Sequence, residues 1–102
     1  MRKHTQMLDM ITTYVCNIDG AKTYPGSAPK ISIYADTINH LIDHMKLELM
    51  DIGELPRIVA DIQAAAEAGN PVTLAMIEQA HNEIERLAGD EAHLIYSTEE
   101  LS

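Results

Sequence analysis

Two histidines four positions apart, in the run His40-Leu41-Ile42-Asp43-His44, form the sharpest chemical pattern in this chain. On a helix that spacing stacks both imidazoles on one face, about 6 Å from each other, as helices do when they offer paired nitrogens to a metal. Asp36 extends the same line by one turn. A metallopeptidase helix also needs a glutamate directly after the first histidine, where this chain has Leu41. Zinc would need two or three further ligands, and the sequence singles out none. On the helical wheel the line lies opposite the apolar stripe Ile38, Leu41, Ile42 and Met45. The expectation is therefore a pair that faces solvent or a partner, with no metal and no other cofactor.

Other reactive residue types are placed less suggestively. His81 falls within the stripe from Ile77 to Ile84, so it is expected at the core edge with a ring nitrogen bonded to a carbonyl or carboxylate. Cys16 is the single cysteine. It excludes an internal disulfide, fits a reducing compartment and is expected as a small buried apolar residue. Ser27, Ser32, Ser97 and Ser102 stand in loops or at ends, outside any Gly-x-Ser-x-Gly elbow. The glycines stand singly, so no phosphate cradle is formed. Catalysis is not expected.

The charge separates the two halves of the chain. Residues 1–50 carry five basic and five acidic side chains, whereas residues 51–102 carry only Arg57 and Arg86 against eleven acidic ones. The net charge of −9 over 102 residues therefore belongs to the second half. Such a surface repels nucleic acid and anionic membrane and attracts basic partners. Basic residues are scattered and no aromatic platform exists, which disfavours direct nucleic-acid binding. Asp9 breaks the apolar stretch after Arg2 and Lys3, so no export or membrane segment is expected and the location is expected to be cytoplasmic.

Elements that would position these residues follow from the apolar spacing. Met7, Leu8, Ile11, Tyr14, Val15 and Ile18 mark a helix over about Thr5 to Ile18. Two Gly and two Pro in residues 19–30 read as loop. A second helix is expected over Tyr34 to Met50, a third from Pro56 to Gly69 and a fourth over Thr73 to Ala88. The third and fourth form an antiparallel hairpin, with Leu74 on the buried face. The fold class is all-α, a bundle of about four helices in one domain. The alternative is α+β, with a short N-terminal β-hairpin pairing Tyr14–Ile18 with the alternation Ile31-Ser32-Ile33. Residues 90–102 read as a short helix or tail, with capping-box spacing at Ser97 and Glu100.

A binding role fits this pattern best: a small acidic regulatory module that engages a basic or apolar surface on a protein partner and self-associates, possible as a homodimer. Its expected interaction residues are Leu47, Met50, Glu54, Asp61, Glu78, Glu83, Glu85, Asp90 and Glu91. Met10, Leu47, Met50, Val72 and Met76 fall outside the main stripes and add apolar surface. A second reading is an inhibitor that imitates nucleic acid, by analogy of type with phage and mobile-element anti-defence proteins. Glu54 with Asp61 and Glu78 with Glu85 place carboxylates at seven-residue steps, about 10 Å apart, a spacing comparable with phosphates along a strand. The third is metal binding through His40, His44 and Asp36.

Overall fold

The computed structural model describes residues 1–96, and the Ser97–Glu100 capping box lies outside them. Among these residues the chain forms α1 (Lys3–Ala21), α2 (Ala28–Leu47), α3 (Leu55–Glu67), α4 (Leu74–Ala88), a 3-10 turn (Gly89–Glu91) and a single-turn helix α5 (Ala92–Tyr96). No strand occurs among the described residues. The fold is an all-α bundle, and the β-hairpin alternative is overturned: Tyr14–Ile18 continues α1, and Ile31-Ser32-Ile33 lies inside α2. The physical reason lies at Pro29. In the first turn of α2 its missing N–H would have had no helical partner, so the proline opens a helix where it was read as loop. Ile31 then points inward and Ile33 outward, an alternation that a helix produces as readily as a strand.

Consecutive helices pack on each other, and α1 also packs on α4, which closes the four into a ring. α5 rests on α1 and α4. The core is aliphatic, with Leu8, Ile11, Val15 and Ile18 from α1 meeting Ile38, Ile42 and Met45 from α2. Leu55, Ile58 and Ile62 of α3 and Ile77, Ala80 and Ile84 of α4 complete it. Each large side chain withdrawn from water contributes about 1.5–3 kcal/mol of burial free energy. Tyr14 and Tyr34 pack as a tilted pair beside the core, ring centroids 6.2 Å apart.

Several single-residue expectations are corrected. Cys16 is exposed, because α1 turns it away from its buried neighbours Val15 and Ile18. Leu74 is exposed at the first residue of α4, before the helix meets its neighbours, while Val72 in the preceding loop is buried. Met50 and Met76 are half-buried against the core, so of the five residues expected to add apolar surface Met10 and Leu47 are exposed.

Two helix ends use the same device. At the end of α3 the Gly69 N–H donates to Ala66 O and the Asn70 N–H to Ala65 O. At the end of α2 the Leu49 N–H donates to Lys46 O and the Met50 N–H to Met45 O. Both are Schellman caps, which require a left-handed residue, usually glycine, just beyond the helix. Gly69 supplies it at φ 76°, whereas the second cap has Leu49 at φ 59°.

Candidate functional site

The hairpin expected to carry the acidic face carries an open groove. It runs between α3 and α4, encloses about 630 Å³ and has Ile58, Met76 and Glu83 at its base. Glu54, Arg57, Glu78 and Arg86 stand exposed along its edges. The α4 side begins at a Thr73 cap, whose hydroxyl accepts from the Met76 N–H at 3.3 Å.

Glu83 was expected on the acidic face, yet it is 9 % exposed. Helix periodicity explains this, since Glu83 precedes Ile84 on the side of α4 turned toward the start of α3, while Glu85 points to solvent. Its carboxylate accepts a forked pair from Arg86, Nε to Oε1 at 2.7 Å and Nη2 to Oε2 at 2.9 Å. Oε2 also accepts the Glu54 backbone N–H at 2.6 Å. Glu54 is the N-terminal boundary residue of α3 and makes no side-chain cap there. A glutamate from the next helix therefore satisfies an amide at the α3 N-terminus, where negative charge is favoured by the helix dipole. The bonds from Arg86 first, and then from the Glu54 N–H, hold the Glu83 carboxyl down at about 2, against the upward push of burial. Gly53 makes room for this arrangement: at φ 48° it carries no Cβ, and one placed there would collide with the Glu83 carboxylate.

The other expected interaction residues divide sharply. Arg57 lies between Glu54 and Asp61 and pairs with both, at 3.3 and 3.0 Å. That one guanidinium answers both carboxylates of the first seven-residue step. Asp90 pairs with Arg2 at 2.9 Å. Glu91 accepts from the Thr5 hydroxyl at 2.6 Å and the Arg2 backbone N–H at 2.9 Å, bonds that lower its carboxyl below the ordinary range. The Arg2 guanidinium also donates to Ala88 O at 3.0 Å. Asp90 and Glu91 thus fasten the chain after α4 to the start of α1. Glu78 and Glu85 remain exposed, and no ion pair joins either among the described residues.

His40 and His44 are exposed on α2, as is Asp36, whose Oδ1 accepts from Gln63 Nε2 at 2.6 Å. Among the described residues no group of three His, Cys, Asp or Glu side chains is placed to hold a metal ion. His81 sits half-buried at the core edge, and one partner of its ring is a hydroxyl, with Nδ1 3.1 Å from Tyr96 Oη. The Tyr96 hydroxyl in turn lies 3.4 Å from the His81 carbonyl, to which it donates.

The Glu83 bracket was missed from sequence. Its one local signal was Arg86 three residues on, while its other partner lies 29 positions away.

By class, then, this is a small helical bundle bearing an open groove on an acidic hairpin, and no helix among its described residues is long and apolar enough to cross a membrane. No protein-family model, curated protein or solved structure matches the chain.

Proposed function

We propose that this protein is a small acidic binding module, regulatory in role, whose α3–α4 groove receives a basic, partly apolar segment of a protein partner. The groove itself carries the reading: its apolar base at Ile58 and Met76 is flanked by carboxylates, on the half of the chain that holds all the net charge. Within the groove Arg57 and Arg86 are committed to Glu54, Asp61 and Glu83, which leaves Glu78 to meet a cation from outside. An amphipathic helix with leucines on one face and lysines beside them matches this chemistry, since apolar contact supplies affinity and charge sets orientation and encounter rate.

Titration with a designed leucine–lysine amphipathic peptide, followed by amide chemical shifts, tests the reading. Shifts centred on Ala75, Met76, Glu78 and Ile58, weakened at least several-fold by Glu78→Lys and by added salt, are the expected result. Absence of shifts in the groove, or binding indifferent to Glu78→Lys, would refute it.

A further inference from the structure

We propose that a second pocket, at the corner where α1 turns into α2, binds a small planar aromatic molecule that carries one negative charge. This pocket shares no residue with the α3–α4 groove, so neither site depends on the other. It encloses about 500 Å³, within the range of small-molecule sites. Asn17 and Gly20 line it from α1, Lys30 and Tyr34 from α2, and Tyr24 and Pro25 from the loop between them.

The parts of this pocket are held in place before any ligand arrives. Lys30 and Tyr34 stand four residues apart on α2, which puts the ammonium and the phenol on one face of the helix. Tyr34 is half-buried and packed against Tyr14, ring centroids 6.2 Å apart. The turn that carries Tyr24 is fixed: the Tyr24 N–H donates to Ala21 O at 3.0 Å, and the Thr23 hydroxyl to Gly20 O at 3.0 Å. Tyr24 is nevertheless 70 % exposed, so its ring serves no core contact and stands at the pocket as a free stacking surface. Gly20 lies inside α1, where glycine is less favourable than alanine. A Cβ placed there would meet nothing within 4 Å outside its own helix, so the glycine leaves this wall of the pocket open.

Charge and ring chemistry together select the ligand. Lys30 is the one charged side chain lining the pocket, and no ion pair joins it among the described residues. Asp19, next to Gly20 on α1, is committed to Lys22 at 3.2 Å. On a protein of net charge −9, a pocket whose lining charge is positive favours an anion where the rest of the surface repels one. The rings of Tyr24, Tyr34 and Pro25 favour a flat apolar body, and the Asn17 amide adds a donor and an acceptor that fix its orientation. An aromatic carboxylate of one or two rings meets these demands, with its ring on the phenols and its carboxylate on the Lys30 ammonium. A neutral aromatic lacks the charge, and a saturated acid lacks the flat face.

Titration of the full chain with naphthoate, up to millimolar concentration and followed by amide chemical shifts, tests this assignment. Saturable shifts centred on Gly20, Gly26 and Lys30 are expected, with none at Met76 or Glu78. The neutral naphthamide and the saturated cyclohexanecarboxylate should each bind at least several-fold more weakly. Lys30→Gln should weaken naphthoate several-fold while leaving naphthamide unchanged, a split that a merely structural role for the lysine would not produce. Gly20→Leu, which fills the pocket from an exposed position, should abolish the shifts with unchanged helicity. Absence of saturable shifts at this corner overturns the proposal. So does equal affinity for naphthoate and naphthamide, or binding that survives Lys30→Gln or Gly20→Leu undiminished.

Discussion

Replacing Leu49 by glycine should make this protein more stable. Leu49 is held at φ 59° by the Schellman cap of α2, in the left-handed region where an L side chain crowds the following carbonyl. That conformation costs a non-glycine residue about 1–2 kcal/mol. Glycine avoids the crowding but loses more chain entropy on folding, a counter-term of about 0.5–1 kcal/mol. Packing adds nothing on the other side, because the leucine side chain is 93 % exposed. The net expectation for Leu49→Gly is a gain of about 0.5–1 kcal/mol. For a domain of this length that corresponds to a rise in Tm of about 3–6 °C. Urea unfolding followed by far-ultraviolet circular dichroism reads it directly, as a higher midpoint with an unchanged slope. The matching control is Gly69→Leu at the end of α3, where the same cap has glycine at φ 76° and where the substitution should lower stability by a similar amount. If Leu49→Gly is neutral or destabilising while Gly69→Leu costs the expected amount, the strain argument fails at the α2 corner.

The Glu83 bracket at the start of α3 and the Thr5–Glu91 bond make further expectations. Glu83→Gln should cost about 1–3 kcal/mol, the range for disrupting a buried charge-assisted bond. Because the Glu83 carboxyl is lowered from 4.5 to about 2, its contribution is complete above pH 4.5 and lost as pH falls from there toward 2. Urea midpoints of parent and variant should therefore converge over that window, and a constant difference down to pH 2 would contradict the assignment. Gly53→Ala should destabilise by about 1–3 kcal/mol, through the positive φ and the displaced carboxylate together. Combined with Glu83→Ala it should cost less than the sum of the singles, and strict additivity in denaturant unfolding would dissociate the two residues. Thr5→Val, which removes a buried hydroxyl bonded to Glu91, should speed amide exchange in residues 89–96 while leaving α3 protected; uniform acceleration would show that this segment does not open separately.

Much of the architecture was legible from apolar spacing, and the α3–α4 hairpin most of all. Pro56 and Pro71 set entries, and Gly69 and Gly89 set exits, close to where the helices begin and end. α2 begins several residues before the Tyr34 start that the sequence suggests, because Pro29 lies in its first turn, where a proline breaks nothing. Leu74 and Cys16 show the limit of a stripe. Periodicity gives a direction on the helix, whereas burial depends on how far the neighbouring helix extends. The acidic face was legible as composition but not as geometry. Arg57 answers two of its carboxylates, Arg2 fastens two more, and Glu83 turns inward, so the bare charge is concentrated at Glu78 and Glu85. Apart from the local pairs of Arg57 and Arg86, those partnerships join residues far apart in sequence, which charge counting does not see.

The capping of α3 by a side chain from α4 also bears on the order in which the chain acquires structure. A helix of 13 residues without its own N-terminal cap is marginal in water. Until α4 arrives with Glu83, the Glu54 N–H at the start of α3 lacks its acceptor, and α3 has only α2 to pack on. The two helices should accordingly form and open as one cooperative unit, with the amides of the first α3 turn gaining protection from exchange only when α4 does. A partner seated in the groove between them would brace that unit from outside, so its binding energy would appear as slower unfolding of the hairpin as well as occupancy of the groove.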